Sequence, residues 1–169
     1  AEWGADAVAA AGHKWLLGLW GAGFLHVDPD FAAELEPRRA SYRSVDDPSA
    51  AGCELSAGAH KLEIGTVSPA PHVAAATAID RIQAVGLDTV QKRIERLTDR
   101  LKSGLGDRLL SPREYESGLV TFRADDPEEL VDQLGEDGVV IRSLPDGTVR
   151  ASIHVFNTAD DVDRLLGAL

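Results

Sequence analysis

A single cysteine, Cys53, in 169 residues excludes an internal disulfide framework and a zinc site built on several cysteines. Methionine is absent altogether, which fits a chain whose initiator was removed before Ala1, or a piece of something longer. Lysine is scarce: four lysines and thirteen arginines make up the 17 cations, against 17 aspartates and 11 glutamates. The net charge of −11 and a pI near 4.8 repel phosphate backbones, so no nucleic-acid partner is expected. No apolar run approaches the ~20 residues of a bilayer span and no signal-peptide layout opens the chain, so no membrane partner is expected either. Aromatics are few at 5%, yet apolar residues reach 44%, enough for a packed core and too many for wholesale disorder. The composition reads as a soluble, cytoplasmic, globular protein. Its surplus of Asp over Lys suits a halophile-like surface whose self-repulsion salt would screen, and equally an ordinary acidic protein.

What is present falls into two unequal parts. Residues 3–11 are Ala-rich without strict alternation and lead into Gly12-His13-Lys14-Trp15. Gly18, Gly21 and Gly23 then space a loop ahead of Phe24-Leu25-His26-Val27, an apolar run expected to form a buried strand. Asp28-Pro29-Asp30 is expected to cap a short helix over residues 31–35. Residues 36–59 are polar, small and without period, and read as loop. Ser68-Pro69 marks a helix start. From Leu87 the apolar positions Val90, Ile94, Leu97, Leu101 and Leu105 describe an amphipathic helix, broken from its predecessor at Gly86 and ended by Gly104 and Gly106.

A strand over residues 119–122 and a capped helix opening at Asp126-Pro127-Glu128-Glu129 follow. Residues 139–144 and 148–155 read as hairpin strands around Pro145-Asp146-Gly147. Thr158-Ala159-Asp160-Asp161 caps a last helix, whose apolar face is Val162, Leu165, Leu166 and Leu169. This order predicts an α+β second half, with helices packed on a small antiparallel sheet. The first half supplies about one strand and much loop. A lone strand cannot bury itself, so that half is expected to need a missing sheet or a partner subunit.

Lys14 lies in the most apolar surroundings of the four lysines. A lysine held among apolar groups loses proton affinity, and its neutral amine can form a Schiff base. The same residues also suit a lysine snorkelling from an apolar turn, and His13 suits an ordinary hydrogen-bonding histidine. The glycines at 18, 21 and 23 are a weak pattern alone, with no helix behind them to complete a phosphate cradle. Glu63-Ile64-Gly65-Thr66 offers backbone N–H groups and a hydroxyl to a phosphate, or simply caps the helix that follows. If residues 145–147 close the hairpin, Arg142 faces Arg150. Two like charges opposed on one face are unfavourable unless an anion joins them, and arginine grips a carboxylate with two prongs. A solvated strand face with Asp137 or Asp146 nearby accounts for the pair as well. No metal site is expected.

In chain order stand Gly12-His13-Lys14-Trp15-Leu16-Leu17-Gly18, Gly21-Ala22-Gly23-Phe24-Leu25, Glu63-Ile64-Gly65-Thr66, Ala78-Ile79-Asp80 and Gly86. Arg142, Val149-Arg150-Ala151-Ser152-Ile153, Phe156-Asn157-Thr158 and Asp161-Val162-Asp163 complete the series. Together they resemble, over the whole chain, the class V aminotransferases. These are fold-type I pyridoxal-phosphate enzymes that include cysteine desulfurases, selenocysteine lyases and isopenicillin N epimerase-like proteins. The resemblance implies the C-terminal portion of such an α/β enzyme. Residues 1–67 would be a remnant of the large cofactor-binding domain, and residues 68–169 the small α+β domain. It implies pyridoxal 5'-phosphate bound covalently by Lys14, with His13 beside the cofactor near its phosphate. Thr66 is similar to the threonine that reaches the phosphate of the neighbouring subunit's cofactor in a homodimer. Arg150 matches the arginine that grips the carboxylate of a small-molecule amino acid, with Arg142 as a second substrate-binding candidate.

Departures from the family pattern narrow this expectation. Ala11 stands where desulfurase members often carry a phosphate-binding serine, and Leu19 stands where proline is usual. Ser143-Leu144-Pro145-Asp146-Gly147-Thr148 holds no cysteine, which argues against persulfide-based sulfur transfer on that loop. The family's first half has no counterpart here, including the aspartate at the pyridine nitrogen, the stacking aromatic ring and the first phosphate loop. The expected function is a transferase or lyase acting on an amino acid, in a truncated or split form inactive alone. The alternative is a cofactor-free remnant that serves as an interaction module or has no function.

Overall fold

Asp28 starts the first helix, because its carboxylate accepts the Asp30 N–H at 3.0 Å and the Phe31 N–H at 3.4 Å. With Pro29 at the first position, α1 spans Pro29–Glu34, starting two residues before the expected 31–35 and ending one residue short of it. The computed structural model describes residues 4–50, 52 and 54–169; Trp3 and Cys53 lie outside them. The chain divides into two compact units, Ala1–Arg81 and Ile82–Leu169.

In the first unit the Ala-rich segment is a strand, β1 (Ala7–Ala11), antiparallel to β2 (Gly23–Val27) with Ala9 opposite Leu25. Alanine has little strand preference, so its partner rather than its propensity sets this conformation. Phe24 to Val27 is a strand as expected but not a buried one: Phe24 and Leu25 are 50% and 46% exposed, and within β2 Val27 alone is buried. The physical reason is that a two-stranded ribbon has no second layer to cover it. An isolated bridge between Val45 and Leu55 and a 3-10 turn over Gly58–Leu62 are the regular features of the polar stretch. The helix expected at Ser68-Pro69 is α2 (Pro69–Val85), which runs into the start of the second unit.

Gly86, at φ 90°, separates α2 from α3 (Leu87–Leu105), where few residues other than glycine would be unstrained. The second unit continues with β3 (Leu119–Phe122), α4 (Pro127–Glu136), β4 (Arg142–Ser143), β5 (Val149–Ser152) and α5 (Ala159–Gly167). The three strands lie in the order β3-β5-β4, all antiparallel. This is the expected α+β arrangement. Leu97, Leu101 and Leu105 of α3 meet Val120, Phe122, Val149 and Ala151 of the sheet, and Leu134, Val162 and Leu165 close the core from α4 and α5. Full burial of a side chain such as Leu101 or Phe122 contributes about 1.5–3 kcal/mol.

Three details differ from the expectation. The second hairpin strand, expected over 148–155, is only Val149–Ser152, because the His154 N–H turns to Asn157 Oδ1 at 2.9 Å. Gly104 lies inside α3 and does not end it. An added Cβ would come within 2.4 Å of Leu166 Cδ1, so this glycine makes room for α5, and Gly106 at φ 53° terminates the helix. The first hairpin strand shrinks to Arg142–Ser143, because the Val139 N–H is taken by Leu134 O at 2.8 Å and the chain leaves α4 through Gly138 at φ 76°. Both later helices are capped as their sequences predict. Asp126 accepts the Glu129 N–H, and Thr158 and Asp161 form a reciprocal capping box. The Thr158 backbone N–H holds the Asp161 carboxyl below its ordinary range, and the Arg100 guanidinium does the same for Asp163 at 2.6 Å. No helix among the described residues is long and apolar enough to cross a membrane.

Candidate functional site

Between β1 and β2 the chain folds back through a loop that glycine closes. The Gly12 N–H donates to Ala22 O, the Gly18 N–H to Gly12 O and the Leu17 N–H to Lys14 O, each at 2.9 Å. A Cβ on Gly18 would stand 2.8 Å from Gly12 O, so a side chain there would force the loop open. Leu17 takes φ 59°, the one non-glycine positive φ among the described residues. That conformation costs roughly 1–2 kcal/mol and persists because the loop is tied at both ends. Lys14 rides on this closed loop with its side chain exposed. Its apolar sequence neighbours do not bury it, since Trp15 and Leu17 are themselves 44% and 55% exposed. His13 stacks on Trp20 with ring centroids 4.0 Å apart and planes 19° from parallel, which fixes the imidazole at the base of the loop.

Thr66 follows Gly65, which turns the backbone at φ 77°. Its Oγ1 lies 2.9 Å from the Tyr42 hydroxyl, and both residues are exposed. Just upstream Glu63 is paired with Arg43, whose Nε donates to Oε2 at 2.8 Å, and its carbonyl accepts the Ser41 hydroxyl at 3.1 Å. A cleft of about 450 Å³ opens beside this pair, lined by Phe24, Leu25, Arg43, His60, Glu63 and Val67 among others. Lys14, His13 and Thr66 share the first unit.

In the second unit the expected register holds, with Arg142 on β4 directly opposite Arg150 on β5. The other neighbour of Arg150 is Thr121 on β3. Val149 and Ala151 point into the core, so Arg150 lies on the opposite face of the sheet. Its Nε is buried with no hydrogen-bond partner, whereas Arg142 is exposed. Asp146 does not neutralise the pair. Its carboxylate is occupied inside the hairpin turn, accepting the Thr148 N–H at 3.1 Å and hydroxyl at 2.7 Å. The segment after β5 is held by α3, where Arg93 donates to Val155 O at 2.8 Å and Asn157 O at 2.7 Å.

A family model described as aminotransferase class-V matches residues 1–165. The chain belongs to the class-V aminotransferase family. It is 32% identical to the isopenicillin N epimerase of Streptomyces clavuligerus, over 97% of this chain and 46% of that protein. It is 29% identical to a probable cysteine desulfurase of Pyrococcus abyssi, over 98% of this chain and 46% of that protein. Among solved structures, the apo cysteine desulfurase from Thermococcus onnurineus NA1 matches with a TM-score of 0.84 at 27% identity, covering 96% of this chain and 46% of that one. This class-V aminotransferase chain thus spans about half the length of the curated relatives it matches.

Sequence reasoning missed Tyr42 and Arg43, which reach Thr66 and Glu63 from a stretch without period. The one local signal was Ser41-Tyr42-Arg43-Ser44, where the Ser44 hydroxyl bonds both backbone groups of Ser41 and the Ser41 hydroxyl accepts the Arg43 N–H, making a tight turn.

Proposed function

We propose that this chain is the C-terminal part of a pyridoxal-phosphate-dependent transferase or lyase acting on an amino acid. Residues 1–67 would belong to its large domain and residues 68–169 form its small domain. The observation that carries the reading is the arginine pair of β4 and β5. A buried guanidinium N–H without a partner, facing a second arginine, is a costly arrangement that a bound carboxylate would relieve.

The first unit fits the two ends of the cofactor. Lys14 presents an exposed primary amine on a loop too tightly closed to fold over it, as attachment to an aldehyde requires. Thr66 presents a hydroxyl at the surface, as a phosphate oxygen requires. When bound, pyridoxal phosphate supplies an electron sink for the substrate's α-carbon. In this reading Lys14 would hold the cofactor at its aldehyde end, and its amine would move a proton at the substrate's α-carbon. His13 would stand beside the cofactor at its phosphate end. Thr66 would donate to the phosphate of the cofactor in the neighbouring subunit of a homodimer. Arg150 orients the substrate carboxylate, with Arg142 alongside.

Segment 143–148 has no thiol to carry sulfur, so a persulfide relay on this hairpin is not part of the proposal. Alone, the chain is expected not to turn over an amino acid, because none of its carboxylates matches the one that keeps the pyridine nitrogen protonated in the family. The second reading, a remnant that works as an interaction module, draws on the exposed apolar surface of Trp20, Phe24 and Leu25. Borohydride reduction after incubation with pyridoxal phosphate separates the two. It should leave a pyridoxyl group on Lys14 that Lys14→Ala abolishes. Labelling at exposed Lys92 instead, or at the buried Lys61 or Lys102, would refute the assignment. Measurable turnover by the chain without a partner would overturn its fragment character.

A further inference from the structure

A threonine hydroxyl on a protein surface rotates among staggered wells, and an anion that must find it in one of them loses binding to that freedom. Here a second segment holds it. The turn Ser41 to Ser44 is rigid: Ser44 is fully buried, its hydroxyl donates to Ser41 O at 2.9 Å, and it accepts the Ser41 N–H at 2.6 Å. The Ser44 carbonyl also takes the Ser56 N–H at 2.9 Å, which anchors the turn to the far end of the polar stretch. From this anchored turn three successive residues reach across to one short segment. Ser41 bonds the Glu63 carbonyl, Arg43 pairs with the Glu63 carboxylate, and Tyr42 meets the Thr66 hydroxyl at 2.9 Å. We infer that Tyr42 is a positioning residue that aims the hydroxyl of Thr66 at a phosphate monoester, and that the Ser41 to Ser44 turn exists to deliver it. This inference rests on the reading of Thr66 as a phosphate ligand.

The proton count carries the argument. Each hydroxyl has one proton, and one of the two is committed to the bond between them. The pair therefore presents a single outward donor, which is what an acceptor-only phosphate oxygen needs. If Tyr42 donates to Thr66, the threonine proton points outward from an oxygen polarised by the incoming bond. If Thr66 donated instead, its proton would be spent on Tyr42, so an acceptor-only phosphate at Thr66 selects the arrangement in which Tyr42 donates. In that arrangement the anion meets one aimed donor. The Arg43–Glu63 ion pair keeps the segment before Gly65 from drifting away from the turn.

The test compares pyridoxal phosphate with pyridoxal, which lacks the phosphate, by borohydride trapping on Lys14 of the purified chain. Pyridoxal is partly closed as an internal hemiacetal, which offsets the ratio of half-saturating concentrations equally for every variant, so the change in that ratio from wild type measures the phosphate's contribution without any turnover. The wild type should favour the phosphate form. Tyr42→Phe should cut that preference by about three- to tenfold, the range set by one net hydrogen bond, and leave pyridoxal trapping unchanged. Thr66→Val should cut it at least as far, and the double variant should fall no lower than Thr66→Val alone. A silent Tyr42→Phe beside an effective Thr66→Val would overturn this inference and leave the reading of Thr66 intact. An additive double variant, or a Tyr42→Phe that weakens both ligands equally, would also overturn it. A wild type without phosphate preference, or a silent Thr66→Val, would overturn the reading of Thr66 and the inference with it.

Discussion

Replacing Arg150 by methionine should stabilise the folded chain while removing its carboxylate grip. A buried N–H left without a partner costs about 1–3 kcal/mol, and the Arg150 Nε is such a group. Arg142, directly opposite on β4, adds a like-charge contribution of roughly 0.2–1 kcal/mol. The net charge of −11 works the other way, drawing a cation to the surface. At about 0.15 M salt, however, charges beyond about 8 Å are largely screened, so this opposing effect is the smaller one. Methionine keeps the apolar stem of arginine as far as the Nε position and brings no donor to satisfy. The balance is a gain of about 1–2 kcal/mol, which for a unit of this size moves the melting midpoint up by several degrees, on the order of 5 °C per kcal/mol. Urea titrations of wild type and Arg150→Met at fixed salt would read it as a higher midpoint with an unchanged slope. Arg142→Met, at an exposed position, should gain less. A carboxylate such as glycine should then stabilise the wild type and not Arg150→Met. An Arg150→Met chain that melts lower than wild type would refute the claim that this arginine is held at a cost for a ligand.

Two further outcomes test the second unit. Gly118 accepts the Ile153 N–H at 2.7 Å, and an added Cβ would stand 2.5 Å from the Ile153 carbonyl oxygen, an unyielding backbone atom. Gly118→Ala should therefore cost about 1–3 kcal/mol, and an unchanged urea midpoint would contradict that packing. Acid should weaken the same unit. The carboxyls of Asp161 and Asp163 are held below their ordinary value of 3.8, so their contribution is complete above that value and is lost as pH falls through their lower folded pKa values. Melting points followed from about pH 7 down to about pH 3 should fall below about pH 4, and Asp163→Asn should flatten that limb. An identical acid limb in Asp163→Asn would show that the Arg100 pair plays no part in it.

Much of this protein was written in local sequence. The period from Leu87 to Leu105 specified α3 and its buried face, and Asp28, Asp126 and Thr158 specified three helix starts, because capping and amphipathic spacing act within a few residues. Pro145-Asp146-Gly147 fixed the hairpin loop, and loop length fixed the register that sets Arg142 against Arg150. The ordered motifs around Lys14, Thr66 and Arg150 carried the family. Tertiary structure decided the rest. Ala7 to Ala11 became a strand only because β2 pairs with it, and Phe24 and Leu25 stayed half exposed because no second sheet layer among the described residues of the first unit covers the ribbon. Gly104 serves Leu166 rather than the helix end, Lys14 stands in the open despite its apolar neighbours, and Tyr42 meets Thr66 across 24 residues of chain. Each of these depends on atoms brought together from distant positions, and neither periodicity nor composition encodes such a meeting.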